Sequence, residues 1–199
     1  MKTATVSIAP ELEVTTWLNA HGPLSLAALR GKVVVVYAFQ MLCPGCVSHS
    51  IPQAKKVAEI FASEDVVVLG LHTVFEHHEA MGEVALSAFI HEYRIKFPVG
   101  IDRPSANGTI PVTMAKYQMR GTPTLILIDG NGALRQQIFG AADDMQVGAL
   151  ISALVPEING QPGCDGGVCR VCFQKKTFEV YRPLSQSSIV VTPLARCRL

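Results

Sequence analysis

The stretch YAFQMLCPGCVSHSIPQ, residues 37–53, contains two cysteines separated by two residues, directly after an apolar run. The run itself, KVVVVYAFQ at residues 32–40, is rich in β-branched residues and is typical of a central strand that is buried on both faces. Beyond the cysteines, apolar residues recur at helical spacing over residues 51–61. Cys43 and Cys46 are therefore predicted to lie where a buried strand passes into a helix.

This position suits dithiol–disulfide exchange, which needs a thiolate nucleophile and a second thiol within its reach. At the start of a helix, unpaired backbone N–H groups and the helix dipole favour a negatively charged thiolate at Cys43. Cys46 lies one turn further along and can resolve the mixed disulfide. Pro44 suits the first helical position, because its missing N–H would have no partner there. The pattern indicates a redox centre in which Cys43 is the attacking thiol and the more exposed of the two.

Strands and helices alternate along the rest of the chain. Five further elements are predicted from apolar runs and periodicity: a strand at 65–73, a helix at 83–95, a strand at 97–102, a helix at 109–119 and a hairpin at 122–140. The hairpin turn is DGNG at 129–132, and Asp143 is a candidate N-cap of a last helix. This order predicts an α/β fold, with a central mixed β-sheet flanked by helices.

The composition changes at Pro156. Residues 156–170, PEINGQPGCDGGVCR, are rich in glycine and proline, and the residues after them show no clear helical period. We therefore predict one domain over residues 1–156 and a Cys-containing C-terminal extension over residues 157–199.

Four segments, in this order, resemble the thioredoxin superfamily, and in particular its TlpA-like and redoxin-type thiol–disulfide oxidoreductases. They are LAALRGKVVVVYAF leading into CPGC, EYRIKFPVGID, YQMRGTPTLILID and GNGALRQQIFG. The resemblance covers residues 10–155 and implies a thioredoxin-like fold. It also implies an enzyme that cycles Cys43 and Cys46 without a bound cofactor. Its partners would be a protein or small-molecule disulfide or thiol substrate, and a thiol reductant or oxidant.

The same resemblance places Thr122 and Pro123 in a cis-proline loop that packs against the cysteines and binds substrate. A cis bond before proline costs only about 0.5–1 kcal/mol. Because proline has no N–H, the backbone before it stays free to pair with an extended substrate.

Three positions depart from the family pattern. Leu42 stands where the family usually has an aromatic residue. Tyr37 stands where many thioredoxins carry a buried acid, and His49 stands where some TlpA-like proteins carry an acid one turn after the second cysteine. His49 is therefore a candidate for proton transfer, because histidine gains and loses protons near neutral pH. The alternative is a histidine that is merely solvated on the helix surface.

A thiol-dependent peroxidase of the redoxin or peroxiredoxin group is the alternative enzymatic function. Peroxiredoxins carry a threonine three residues before their reactive cysteine, and here Gln40 occupies that position. Peroxide is therefore expected to be a poor substrate.

Four cysteines in the extension, with the pattern C-x4-C-x2-C-x24-C, allow three interpretations: Cys164, Cys169, Cys172 and Cys197. Four thiolates can close a tetrahedral zinc site, which would make the tail a non-enzymatic metal- or partner-binding module. Alternatively, Cys169 and Cys172 form a second exchange pair that passes electrons to the first. The third interpretation is that these thiols are incidental.

The bulk properties exclude several classes of protein. A net charge of +1 gives no electrostatic footprint for nucleic acid. The longest apolar run is far shorter than the roughly 20 residues of a membrane-spanning helix. The N-terminal residues lack the pattern of a secretory signal. These features predict a cytoplasmic protein without a membrane span, although an exported protein whose leader had been removed would look the same.

Overall fold

Six strands form one mixed sheet in the computed structural model, which describes residues 7–61 and 63–158. In chain order they are β1 (Val14–Leu18), β2 (Val33–Phe39), β3 (Val66–His72), β4 (Val99–Asp102), β5 (Thr124–Ile128) and β6 (Leu134–Phe139). Their order across the sheet is β1-β4-β3-β2-β5-β6. Strands β2, β3 and β4 run parallel, and the three remaining pairings are antiparallel. The predicted α/β architecture is confirmed.

Strand β2 is the centre of the core, and all seven of its residues are buried. Its odd-numbered side chains, which include Tyr37 and Phe39, pack on one face with Cys46. Its even-numbered side chains, such as Val36, pack on the other face with Met114. Because both faces are covered, the strand reads as an unbroken apolar run rather than as an alternating one.

Within residues 7–61 and 63–158, four α-helices flank the sheet: α1 (Ile51–Ile60), α2 (Glu83–Glu92), α3 (Val112–Lys116) and α4 (Asp144–Ile158). A π-helical turn, Cys46–Ser50, precedes α1. The predicted helix at 109–119 is wrong in its extent, since α3 has only five residues. The residue before Pro111 is restricted from helical geometry, and Gln118 adopts a left-handed φ of 50° that ends the helix.

Two aspartates stabilise the ends of the hairpin and of α4. Asp129 Oδ1 accepts the backbone N–H of Asn131 at 2.9 Å and that of Ala133 at 2.9 Å, which closes the predicted turn. Asp143 Oδ1 accepts the N–H groups of Met145 and Gln146 at 2.9 and 3.0 Å. The predicted N-cap at Asp143 is therefore confirmed.

No helix within the described part of the chain has the length and apolar character needed to cross a bilayer. The four cysteines of the predicted extension lie outside the described residues: Cys164, Cys169, Cys172 and Cys197. The division into residues 1–156 and 157–199, and the three interpretations of those cysteines, stay predictions.

His72, the last residue of β3, is a histidine enclosed by the core. It is 1% exposed, and its ring centroid lies 5.4 Å from that of Phe39. Its Nε2 has no hydrogen-bond partner among the residues that the structure describes. Burial lowers the pKa of His72 to about 4, so the side chain is neutral in the folded protein near neutral pH.

We expect His72 to make the protein less stable in mild acid. Below its unfolded pKa of about 6.5, His72 binds a proton in the unfolded chain but not in the folded one. The free energy of unfolding should therefore fall between pH 6.5 and 4, by about 3 kcal/mol from this residue. Urea denaturation at pH 7 and pH 4 should show a smaller loss in His72→Leu than in the wild type. The exposed His91→Leu variant should behave as the wild type, and equal losses in His72→Leu and the wild type would contradict the prediction.

Candidate active site

The two cysteines meet at the carboxyl end of β2. The helical segment begins at Pro44, as predicted, so Cys43 stands just before its first turn. Cys43 and Cys46 are both free thiols, and their sulfurs lie 2.6 Å apart. Cys43 is half-buried and Cys46 is completely buried, which confirms that Cys43 is the more exposed of the two.

Two hydrogen-bond donors from the first helical turn contact the sulfur of Cys43. The backbone N–H of Cys46 donates to Cys43 Sγ at 3.3 Å, and the Cys46 thiol donates to the same atom. These contacts come from the first helical turn, where the helix dipole also favours an anion. The Cys43 thiol itself donates to the carbonyl oxygen of Thr122 at 3.5 Å. Two donors thus point at the one sulfur that faces the surface.

Cys46 has the opposite environment. Burial, and secondly its hydrogen bond with Cys43, raise the pKa of Cys46 to about 12, while hydrogen bonds from the Gln40 backbone and the Thr122 side chain act in the opposite direction. Cys46 therefore keeps its proton near neutral pH. The pair is therefore asymmetric. The Cys43 sulfur is accessible for attack from the surface, and the Cys46 sulfur is buried and protonated.

The Thr122–Pro123 peptide bond is cis, as predicted. The Pro123 ring packs on the loop between the two cysteines, because a Cβ added to Gly45 would lie 3.3 Å from Pro123 Cδ. Together with the contact between Cys43 and the Thr122 carbonyl, this confirms that the loop packs against the cysteines. Substrate binding by Thr122 and Pro123 stays a prediction.

A polar pocket of about 120 Å³ lies beside this loop. Its lining includes Tyr37, His49, Ser50, Gln53, Pro123 and Asp144. Gln53 Nε2 donates to the Ala142 carbonyl at 2.8 Å and to Asp144 Oδ1 at 2.7 Å. Tyr37 and Gln53 are in contact through the phenol and the amide oxygen, 3.4 Å apart. At the exposed side, Lys56 Nζ lies 2.8 Å from Asp144 Oδ2.

Sequence reasoning found only part of this polar group. It singled out Tyr37 and His49, and the structure places both at the pocket. It did not find Gln53 or Asp144, which meet across 91 residues of sequence. The one signal in the sequence that could have revealed this contact is the position of Gln53 on the helix. It is a polar residue on the same face as buried residues one turn before it and one turn after it.

His49 lies on the exposed side of the π-helical turn. Within the described residues it makes no hydrogen bond to either cysteine, and its charge acts on Asp144 instead. The pKa of Asp144 is lowered, first by its hydrogen bond with Lys56, then by Gln53, and to a lesser extent by the charges of Lys56 and His49. A role for His49 in proton transfer stays a prediction.

Gln40 has a structural partner on each side of its amide. Its Oε1 accepts the backbone N–H of Phe75 at 3.2 Å, and its Nε2 lies 3.4 Å from Glu76 Oε1. The side chain is 1% exposed, so it ties the end of β2 to the loop after β3. No group of three or more metal-ligating side chains occurs within residues 7–61 and 63–158.

Comparison with known proteins places these features among redox proteins. The profile of the AhpC/TSA family matches residues 6–137. The protein DipZ of Mycobacterium tuberculosis is 30% identical over 159 residues, which are 78% of this chain and 21% of DipZ. The chain thus spans about a fifth of the length of that curated relative.

Two solved structures are similar over most of their length. A thioredoxin-like superfamily protein is 56% identical with a TM-score of 0.74, over 79% of this chain and 99% of that one. A thiol-disulfide isomerase from Corynebacterium glutamicum is 50% identical with a TM-score of 0.73, over 76% of this chain and 97% of that one. The predicted thioredoxin-like fold is confirmed.

Proposed function

The chain belongs to the AhpC/TSA family, and from that premise we propose that it is a thiol–disulfide oxidoreductase whose active-site pair is Cys43 and Cys46. The observation that carries the proposal is the asymmetry of the pair. One sulfur is half-exposed at a helix start and receives two hydrogen bonds, while the other is buried and protonated 2.6 Å away. Attack and resolution need these two environments.

The reaction proceeds in two exchanges. The Cys43 thiolate attacks one sulfur of a substrate disulfide, forms a mixed disulfide and expels the other substrate sulfur as a thiolate. Cys46 then attacks Cys43 Sγ, which releases the second substrate thiolate and leaves a Cys43–Cys46 disulfide. Two electrons have passed to the substrate, and an external thiol reductant returns the pair to the dithiol. The reverse sequence oxidises a substrate dithiol, and neither direction requires a bound cofactor.

Thr122 and Pro123 form the proposed contact surface for the substrate. The Pro123 ring supports the loop between the cysteines, and the Thr122 carbonyl lies beside the attacking sulfur. An extended polypeptide that pairs with this backbone would present its disulfide to Cys43. The name thiol-disulfide isomerase, carried by a 50% identical protein, supports protein disulfides as the substrate class. A cytoplasmic location, and zinc in the C-terminal extension, stay predictions.

Disulfide reduction and peroxide reduction are separated by one experiment. We expect the purified protein to accelerate the reduction of insulin disulfides by dithiothreitol, and to consume hydrogen peroxide slowly in the same buffer. The reason for slow peroxide turnover is Gln40, whose buried amide is engaged by Phe75 and Glu76 and offers no hydroxyl to align a peroxide. Turbidity reports insulin reduction, and loss of peroxide is followed directly. Rapid peroxide turnover without insulin reduction would contradict the proposal in favour of a peroxidase.

A further inference from the structure

Resolution of the mixed disulfide requires a proton acceptor other than the two cysteines. If the chain acts as proposed, Cys46 must lose its proton to attack, yet it is completely buried. In the dithiol state its hydrogen-bond acceptor is Cys43 Sγ. In the mixed disulfide that sulfur is already bonded to the substrate and to its own Cβ, so it cannot take the proton. Another group has to carry the proton away.

Ser50 is placed for this role. It follows Cys46 by four residues, so the two side chains share one face of the helix. They are also the first and last residues of the π-helical turn, a local geometry that recurs at functional sites. Ser50 is 7% exposed, and its Oγ has no hydrogen-bond partner among the described residues. A buried hydroxyl without a partner is unfavourable, so Ser50 Oγ has hydrogen-bonding capacity that no described protein group uses.

Ser50 also lines the polar pocket. The other hydroxyl and amide groups there are already engaged: Tyr37 with Gln53, Gln53 with Asp144, and Ser48 with the Pro44 carbonyl at 2.8 Å. The titratable groups around the pocket are Tyr37, His49, Lys56 and Asp144. A volume of about 120 Å³ is room for several water molecules. Ser50 therefore lies four residues after the buried thiol and borders a polar space large enough for water.

We propose that the Ser50 hydroxyl relays the proton of Cys46 to water in this pocket during the resolving step. The Cys46 sulfur bonds to Cys43 Sγ while the bond between Cys43 Sγ and the substrate sulfur breaks. The substrate sulfur leaves with the electron pair as a thiolate. The proton of Cys46 passes to Ser50 Oγ as Ser50 releases its own hydroxyl proton to pocket water. The relay requires the Ser50 hydroxyl to turn between Cys46 Sγ and the pocket by rotation about one side-chain bond.

The test uses 5,5′-dithiobis(2-nitrobenzoate) with the reduced full-length protein in stopped flow. Attack by Cys43 releases one equivalent of coloured thiolate, and resolution by Cys46 releases another in a step that does not depend on protein concentration. The four other cysteines also react, so the signal of a Cys43→Ser/Cys46→Ser double variant is subtracted. We expect Ser50→Ala to leave the first phase unchanged and to slow the second at least about tenfold. In Ser50→Ala the second phase should also gain a steeper dependence on pH, because hydroxide replaces the relay.

Two further variants separate a relay from a packing effect. Ser50→Thr retains a hydroxyl and should restore most of the second-phase rate, and Ser48→Ala should match the wild type in both phases. An unchanged second phase in Ser50→Ala, or a Ser50→Thr variant as slow as Ser50→Ala, would overturn the relay while leaving the exchange function in place. Peptide mapping of the product shows whether a disulfide has formed between Cys43 and Cys46. A wild-type protein that never forms their disulfide would overturn the proposed function and the relay with it.

Discussion

A Cys43→Ser variant is expected to lose disulfide reduction by at least about a thousandfold, because it removes the nucleophile that starts the reaction. Cys46→Ser should fail in turnover to a similar extent, but at a later point. It keeps the half-exposed sulfur at the start of the helix, so it should attack a disulfide once and then stop at the mixed disulfide. Each variant replaces one sulfur atom by oxygen, so the two variants serve as controls for each other.

Mass spectrometry after incubation with a peptide disulfide distinguishes the two variants. Cys46→Ser should accumulate an adduct of one peptide on Cys43, and Cys43→Ser should carry no adduct on Cys46. Four other thiols are present in the chain, Cys164, Cys169, Cys172 and Cys197, so the adduct has to be located by peptide mapping. An adduct that forms on Cys46 instead, and faster than on Cys43, would show that the roles of attacker and resolver are reversed.

The redox centre was predictable because its determinants are local in sequence. A strand covered on both faces is an unbroken apolar run, and Val33–Phe39 is buried at every position. Pro44 marks the first helical residue and so fixes which cysteine stands at the helix start. The order of the segments around this point then predicted the fold. Each of these signals depends on backbone geometry within a few residues.

The features that sequence reasoning missed depend on contacts between distant segments. Strand β1, Val14–Leu18, was not predicted, because its residues are partly exposed and give no continuous apolar run. The hydrogen bond between Gln53 and Asp144 joins α1 to the start of α4. Nothing near Gln53 in the sequence reveals that partner, since a glutamine on a helix is usually solvated.

The same limit applies to His49 and Ser50. A histidine one turn from the second cysteine is a candidate for proton transfer, yet the structure places His49 on the exposed side of the pocket. Ser50 has no distinctive chemistry in the sequence, and only its burial without a hydrogen-bond partner sets it apart. Which polar residues line the pocket depends on how distant segments pack together, and the local sequence pattern does not reveal that packing.

Asp102, the last residue of β4, makes a second group of buried polar contacts that sequence reasoning did not find. It is 3% exposed. Its carboxylate accepts the hydroxyl of Thr73 at 2.8 Å and the backbone N–H groups of Thr113 and Met114 at 2.8 and 3.0 Å. Burial raises the pKa of Asp102, although its hydrogen bonds with Thr113, Thr73 and Met114 oppose that shift. The carboxylate thus joins the ends of β3 and β4 to the first turn of α3.

An Asp102→Ala variant is expected to lower the free energy of unfolding by about 4 kcal/mol, because three buried donors lose their acceptor at about 1–3 kcal/mol each. Asp143→Ala is the matched control, since Asp143 also accepts two N–H groups at a helix start but is exposed, and it should cost about 1 kcal/mol. Urea denaturation of both variants measures the difference. Equal losses would show that water replaces the Asp102 carboxylate at this site. Because α3 leads into the Thr122–Pro123 loop, Asp102→Ala should also slow disulfide exchange under conditions in which it stays folded, whereas Asp143→Ala should not.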